Sequence, residues 1–225
     1  MNETALLVSF ENVIDETINE KVLALHRAFE KKQFYGFIET VPAYNSLAVF
    51  YHIEKVKQRA TNDSSAFDHV KKITEELVQQ LDTILVSNKP AIIVPVYYNG
   101  DDLVHVAKHH GITTEEVVAI HTAKAYRVFM IGFLPGFAYM GKVDERIATP
   151  RLTTPRTSVQ PGSVGIAGFQ TGIYPLRSPG GWQLIGQTPL KIFNIQKKEP
   201  CLFKAGDTVR FIAINKADFE KLNEY

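Results

Sequence analysis

A long stretch without an acidic residue or a histidine contains the side chains best suited to chemistry. Residues 146–198 hold seven basic side chains, among them Arg151, Arg156 and Arg177, together with many glycines whose backbone amides can face a ligand. General acid–base catalysis usually needs His, Asp or Glu, whereas guanidinium groups and turn amides bind anions. The pattern indicates a candidate carboxylate or phosphate site. A solvated basic surface, or one that contacts an acidic face of another domain, is the alternative.

As an active site, this stretch is chemically incomplete. It has no side chain that commonly transfers protons near neutral pH and no carboxylate or imidazole to hold a metal ion. If the region belongs to an enzyme, those groups must come from elsewhere, and a second polypeptide is a natural source.

Other catalytic motifs are absent or incomplete. Residues 136–143 have the spacing of a phosphate-binding loop, but Val143 stands where the motif needs Ser or Thr, which favours an ordinary Gly-rich connection. No G-x-S-x-G motif is present, and no histidine follows His121 to act as a base for the later serines. His105 and His109 lie four residues apart on a predicted helix, but without a third ligand at helical spacing they are best interpreted as surface residues.

Composition limits the class of protein. The 225 residues are 45% hydrophobic and 22% charged, which is typical of one large or two small globular domains and excludes a disordered or fibrous chain. The 25 basic and 24 acidic residues nearly cancel, which argues against nucleic-acid and membrane partners. Cys201 is the only cysteine, and the first ten residues do not resemble a signal peptide. We therefore expect a cytoplasmic protein.

Charge and turn-forming residues divide the chain into two regions. Residues 1–98 carry 10 basic and 13 acidic side chains, whereas residues 99–225 carry 15 and 11. Ten of the 14 glycines and seven of the 11 prolines fall within residues 132–189. A composition change this sharp predicts two domains of different architecture, 1–98 and 99–225.

The first region is predicted to be an α+β domain. Hydrophobic periodicity and β-branched runs predict strands 5–10, 36–41, 47–53 and 91–98 and helices 16–32 and 67–85. Asp15 is the expected N-cap of the first helix, because its carboxylate can accept the free amide hydrogens of the first turn. The order β-α-β-β-α-β predicts a ferredoxin-like sheet with two helices on one face.

The second region is predicted to be mainly β. Two short helices, 101–110 and 114–121, come first, with Gly111 as the C-cap between them. Short strands separated by Gly and Pro are then predicted at 126–131, 164–167, 171–176, 182–185, 190–195 and 208–213, and a short helix or tail at 216–225. Many short strands with regular turns favour a closed or sandwiched β structure.

Several segments of the second region resemble the hallmark sequences of one bacterial family. They are residues 129–141, 150–151, 154–156, 159–162, 167–175 and 178–189. The chain resembles the B subunit of the ATP-dependent 5-oxoprolinase, in a family also called allophanate hydrolase subunit 1 and sporulation-kinase inhibitor. That family is similar to half of the carboxyltransferase domain of urea carboxylase. The chain departs from the family pattern at Phe169, where a glycine is usual, and at Asn194, where an aspartate is usual.

The resemblance implies a fold, an activity and a set of partners. The fold would be a small α/β domain followed by a cyclophilin-like β-barrel. The activity would be ATP-dependent cleavage of 5-oxoproline to L-glutamate, in a complex whose direct partner is the C subunit and which also contains the A subunit. ATP and magnesium would be needed, with the magnesium ligands supplied by another polypeptide of the complex.

The resemblance also suggests which residues form the site, in a cleft lined by residues 132–141 and 168–175 and shared with the C subunit. The candidate catalytic residues are Arg151, Arg156 and Tyr174. The candidate substrate-binding residues are Pro135, Gly136, Phe137, Gln170, Thr171 and Arg177. No metal-ligating residue is predicted in this chain.

Two other functions remain open from the sequence. The chain could be a regulatory protein that binds and inhibits a sensor histidine kinase, in which case it would bind the kinase with no substrate present. It could also be half of a urea or allophanate carboxyltransferase-type enzyme, although the chain contains no biotin-carrier lysine motif.

Overall fold

The computed structural model describes residues 4–59, 65–81 and 90–223. The chain divides into two compact units, Met1–Ser87 and Asn88–Tyr225, and each unit has its own hydrophobic core. None of the described helices is both long enough and apolar enough to cross a lipid bilayer.

The first unit is a small antiparallel sheet with helices. Its elements are β1 (Ala5–Ser9), α1 (Glu16–Lys31), β2 (Phe37–Pro42), β3 (Ser46–Tyr51), α2 (Ile53–Lys57) and α3 (Ala66–Gln79). The strand order is β1-β3-β2, and α1 and α3 pack on the sheet and on each other. The predicted N-cap is confirmed, since Asp15 accepts the Ile18 N–H at 2.9 Å. The end of the predicted helix 67–85 lies outside the described residues.

The second unit contains most of the strands. Its elements are β4 (Ile92–Val96), α4 (Leu103–His110), α5 (Thr114–Thr122), β5 (Ala125–Ile131), β6 (Ala138–Gly141), β7 (Arg156–Val159), β8 (Ser163–Ala167), β9 (Gln170–Ile173), β10 (Ser178–Gly180), β11 (Gln183–Gln187), β12 (Thr208–Ala213) and α6 (Lys216–Asn223). The predicted C-cap is confirmed, because Gly111 ends α4 with φ +67°. Thr113 begins α5 with a capping box to Glu116.

Seven strands of this unit form a barrel-like sheet. Their order is β11-β8-β9-β6-β5-β12-β4. Beyond the end of β4, Tyr97 exchanges two 2.9 Å backbone hydrogen bonds with Gln187 of β11, which joins the two outer strands. Residues such as Val94, Val128, Ile166 and Phe211 fill the interior. The mostly β architecture with flanking helices is consistent with the cyclophilin-like barrel that the resemblance implies.

The ferredoxin-like arrangement predicted for residues 1–98 is not confirmed. Its expected fourth strand, β4, pairs in parallel with β12, from Ile92 opposite Val209 to Val96 opposite Ala213. Val94 and Val96 are fully buried in the core of the second unit. The strand was correctly located, but it belongs to the barrel-like sheet of the second unit rather than to the sheet of the first unit.

One predicted strand is wrong and several short elements were missed. Residues 190–195 form an irregular loop, with a single bridge between Phe193 and Cys201 and a turn in which Lys197 N–H donates to the Asn194 carbonyl. The strands β6, β7 and β10 and the helix α2 have three to five residues each. Such short elements show little hydrophobic periodicity.

Candidate functional site

A cavity of about 290 Å³ in the second unit contains the densest group of predicted site residues. Segments before β6, before β7 and between β9 and β11 form it. Its lining residues are Phe133, Phe137, Tyr139, Arg151, Pro155, Tyr174, Pro179, Gly180, Gly181 and Trp182. We call this space the aromatic cavity.

Phe137 is the centre of the aromatic wall. Its ring meets those of Tyr139, Tyr174 and Trp182 edge-to-face, with centroid separations of 4.8, 5.3 and 5.3 Å. Phe137 and Tyr174 are almost completely buried, and Trp182 is nearly so. Interlocked rings of this kind have few alternative rotamers, so the wall is a preformed apolar surface.

Two phenols bring polar atoms to this wall. Burial raises the pKa of Tyr139 and that of Tyr174, against the opposing influence of the Arg151 charge. Both hydroxyls are therefore protonated near neutral pH and are able to donate a hydrogen bond. The backbone N–H of Trp182 also opposes the rise in the pKa of Tyr174. The protonated Tyr174 hydroxyl at this wall can donate to a ligand.

Arg151 brings positive charge to the aromatic cavity. Its guanidinium carbon lies 5.8 Å from the centroid of the Trp182 ring, which is a cation–π distance. Arg151 is exposed, and no carboxylate in the described part of the chain forms an ion pair with it. An arginine held over a ring with its N–H donors unpaired can bind a carboxylate in a bidentate manner.

The backbone closes one side of the aromatic cavity at Gly180 and Gly181. A Cβ added at Gly180 would lie 2.4 Å from the Tyr174 hydroxyl, so the ring requires glycine there. A Cβ added at Gly181 would meet only ordinary contacts, the nearest being Pro155 Cγ at 3.6 Å, and its φ is not positive. Protein packing therefore explains the first glycine but not the second.

Arg156 does not line the aromatic cavity. Its Nη2 donates to both carboxylate oxygens of Asp102, at 2.6 and 2.7 Å, and its Nη1 donates to the Trp182 carbonyl at 3.3 Å. Asp102 is 7% exposed and also accepts the Leu184 N–H at 2.6 Å. Arg156 lines a separate, more polar cavity of about 300 Å³ with Ser158 and other residues. In this position its main contact is a buried ion pair within the second unit.

Thr171 lies in the barrel interior rather than in the cavity. Its hydroxyl donates to the Gly165 carbonyl at 3.0 Å, and its oxygen is 2.9 Å from His121 Nε2. His121 Nε2 must therefore carry the hydrogen that it shares with Thr171. Nδ1 then accepts from the Tyr98 hydroxyl at 2.8 Å. Burial lowers the pKa of His121 to about 3. Sequence reasoning placed His121 at a helix end and missed this interior chain.

The remaining predicted residues are dispersed. Arg177 is exposed, with a 3.4 Å hydrogen bond to the Ser158 hydroxyl, and Gln170 is half-buried on β9 opposite Gly141. Pro135 is exposed on the loop after β5. Gly136 adopts φ +84°, with Phe193 packed against it, so it shapes the turn.

The aromatic cavity brings together three of the nine predicted site residues, Arg151, Tyr174 and Phe137. The other six predicted residues lie outside its lining.

The structure adds three aromatic residues that were not among the named candidates, although two of them lie within the segment 132–141 predicted to line the cleft. These are Phe133, Tyr139 and Trp182. Their only sequence signal is their position inside the segments that resemble the family's hallmarks.

The segment with phosphate-loop spacing forms part of the barrel. Its residues 138–141 are β6, which pairs with β5 and β9. Half of the segment is therefore a barrel strand, whereas the sequence favoured a Gly-rich connection. Within the described ranges, no group of three or more His, Cys, Asp or Glu side chains is arranged to hold a metal ion.

Comparison with known proteins identifies the family. Residues 1–203 match the family described as "Carboxyltransferase domain, subdomain C and D". The B subunit of 5-oxoprolinase from Bacillus subtilis is 42% identical over 228 residues, covering 100% of this chain and 95% of that protein. The 5-oxoprolinase B subunit from Haemophilus influenzae is 38% identical, covering 94% and 95%.

The chain belongs to the family of 5-oxoprolinase B subunits. Its fold is similar to the crystal structure of TTHA0988, with a TM-score of 0.81 and 31% sequence identity. The match covers 94% of this chain and 40% of the TTHA0988 chain. A more distant relative is the urea amidolyase of Saccharomyces cerevisiae, 25% identical over 95% of this chain and 13% of that protein.

Proposed function

We propose that this chain is the B subunit of an ATP-dependent 5-oxoprolinase and that its aromatic cavity binds 5-oxoproline. The observation that carries the proposal is an unpaired arginine, Arg151, beside a preformed aromatic wall. The relatives named as 5-oxoprolinase B subunits support the reaction class.

The chemistry of 5-oxoproline suits this cavity. The molecule is a five-membered lactam with one carboxylate, so it has a compact ring, one anionic group and one carbonyl acceptor. Arg151 would bind the carboxylate through paired charged hydrogen bonds. The aromatic wall built around Phe137 would give the lactam ring an apolar surface to lie on. The protonated hydroxyl of Tyr174 would donate to the lactam oxygen and polarise the carbonyl.

ATP and magnesium fit poorly in the aromatic cavity. Its described lining offers one cation and no carboxylate, whereas magnesium prefers oxygen ligands and a triphosphate needs several cationic or amide donors. We therefore place ATP and magnesium on the C subunit, whose surface would complete the cavity. Opening of the activated ring would fall to the A subunit. This chain then supplies substrate binding and orientation, and the complex as a whole hydrolyses the lactam.

In this proposal the predicted arginines have different roles. Arg151 contacts substrate, whereas Arg156 supports the cavity wall through its hydrogen bond to the Trp182 carbonyl and its ion pair with Asp102. Arg177, Gln170 and Thr171 do not reach the aromatic cavity and are left without a substrate contact.

Substitution of Arg151 tests the proposal. In the complex reconstituted with the partner subunits, Arg151→Gln should raise the KM for 5-oxoproline roughly 10- to 100-fold, because a charged hydrogen bond contributes about 1.5–3 kcal/mol. Arg151→Lys should recover part of the loss. The matched control is Arg146→Gln, since Arg146 is a neighbouring exposed arginine that pairs with Asp144 instead. An unchanged KM in Arg151→Gln would remove Arg151 from the site.

A carboxyltransferase acting on urea is the second candidate, because the matched family is a carboxyltransferase domain. Urea is neutral and has no carboxylate to pair with Arg151. Turnover of urea with a biotinylated carrier, without turnover of 5-oxoproline, would favour this second candidate.

Inhibition of a histidine kinase stays a prediction, and co-purification with a kinase in the absence of substrate would test it.

A further inference from the structure

Phe133 has an unfavourable backbone conformation at the edge of the aromatic cavity. Its φ is +67°, and it is the only described residue other than glycine with a positive φ. The Leu134 N–H donates to the Gly132 carbonyl at 2.8 Å, so Phe133 is the central residue of a three-residue γ-turn. Positive φ at the centre of such a turn is rare and strained for a residue with a bulky side chain.

Neither burial nor backbone hydrogen bonding explains why this position is aromatic. The Phe133 side chain is 62% exposed, so most of its apolar surface remains in water. The turn is held by backbone hydrogen bonds between Gly132 and Phe137 and between Phe137 and Leu134, which a glycine at position 133 would permit equally. The one aromatic contact of Phe133 is edge-to-face with Phe137, at 5.6 Å and 88°.

The Phe133 ring nevertheless lines the aromatic cavity. A side chain that is mostly exposed yet lines a cavity lies at its rim, and Arg151 is likewise an exposed lining residue. Backbone strain retained at a ligand cavity is characteristic of functional sites, because the strained conformation holds a group where a ligand can meet it. The strain, the exposure and the position at the rim are three separate observations.

We propose that Phe133 is a specificity-determining residue whose ring covers the apolar face of the bound lactam. This inference rests on the proposed function and extends it to the discrimination between the cyclic substrate, 5-oxoproline, and the open-chain product, L-glutamate. A flat five-membered ring can lie against the phenyl face while its carboxylate binds Arg151. L-Glutamate, with an ammonium group and two carboxylates on an open chain, presents no such face. Phe133 would therefore favour substrate over product.

Replacement by glycine separates a binding role from a structural one. Phe133→Gly removes the ring and relieves the strain, because glycine adopts positive φ freely. The urea midpoint of the full chain, followed by the fluorescence of the sole tryptophan, Trp182, should stay unchanged or rise. In the reconstituted complex the KM for 5-oxoproline should rise about ten-fold or more, while inhibition by L-glutamate changes little. Phe133→Tyr should restore a KM close to that of the unsubstituted protein.

Ile195→Ala is the matched control. Ile195 is another exposed apolar residue of the same unit and lies outside the lining of the cavity, so its truncation should leave the KM unchanged. A lower urea midpoint in Phe133→Gly would show that the ring is structural and would overturn the inference. So would an unchanged KM, or equal losses for 5-oxoproline and L-glutamate. If the unsubstituted complex neither binds nor turns over 5-oxoproline, the proposed function fails and the inference fails with it.

Discussion

The contact between Tyr174 and the backbone shows how single residues set the shape of the aromatic cavity. The buried Tyr174 ring lies so close to Gly180 that no side chain fits there. One residue later, Gly181 faces the cavity with space for a methyl group. Because packing does not require glycine at position 181, we expect its bare backbone to leave room for the ligand.

Adding one methyl group should therefore reduce stability at Gly180 and ligand binding at Gly181. Gly180→Ala should destabilise the second unit by about 1–3 kcal/mol, because the new Cβ overlaps the Tyr174 hydroxyl. Gly181→Ala should change stability by less than about 0.5 kcal/mol but should weaken binding of 5-oxoproline. Urea unfolding followed by Trp182 fluorescence and the KM of the reconstituted complex measure the two effects. A Gly181→Ala protein with normal KM would show that the ligand does not approach this backbone.

Between elements, one ion pair joins three parts of the second unit. Asp102 precedes α4, Arg156 begins β7, and Leu184, whose N–H the same carboxylate accepts, belongs to β11. The side chains of Arg156 and Asp102 are 23% and 10% exposed. A carboxylate this buried depends on its partners, because removing one of them leaves a charge with little access to water.

Loss of the arginine should accordingly be a stability defect. Arg156→Ala should lower the free energy of unfolding by about 3 kcal/mol, because it leaves Asp102 buried and unpaired. Asp102→Leu combined with Arg156→Met should recover part of that loss in a double-mutant cycle. Both are measured by urea unfolding of the full chain. If Arg156→Ala instead unfolds normally and abolishes turnover, Arg156 belongs to the site after all.

At the scale of the whole second unit, the barrel interior contains a polar chain that depends on a neutral histidine. Tyr98 donates to His121, His121 donates to Thr171, and Thr171 donates to a carbonyl of β8. Burial lowers the pKa of His121 to about 3 from its ordinary value of 6.5. Between these two values the unfolded chain binds a proton that the folded chain excludes.

The second unit should therefore lose stability as the pH falls below about 6.5. The contribution of neutral His121 to the free energy of unfolding is fully present above the pKa of His121 in the unfolded chain. As the pH falls toward the pKa of His121 in the folded chain, this free energy declines by up to about 1.4 kcal/mol per pH unit, or by about 2 kcal/mol at pH 5. Urea midpoints followed by Trp182 fluorescence from pH 7.5 to 5 measure the slope. His121→Gln should flatten it. His105→Gln, at an exposed helix position, should not. Equal slopes in all three proteins would exclude His121 as the source.

Two helix caps and the longer helices could be predicted because the responsible interactions are local. Asp15 accepts an amide hydrogen three residues further along the chain, Gly111 ends α4 with a positive φ, and hydrophobic periodicity marks the face of α1 that is buried. Arg151 could be selected by residue type, since an anion needs a cation, whereas Tyr174 and Phe137 were candidates through the family resemblance. The segments shared with the family pointed to the same part of the chain.

Tertiary structure decided the features that depend on distant partners. Nothing local distinguishes Arg156 from Arg151, because the carboxylate of Asp102 is 54 residues away along the chain. The sequence of β4 is compatible with either sheet, and only its pairing with β12 assigns it to the barrel. Local sequence thus determined most of the longer elements and which side chains could bind an anion. Only packing between remote segments decided which arginine was neutralised and which was left free, because ion pairing and strand pairing require spatial contact rather than proximity in sequence.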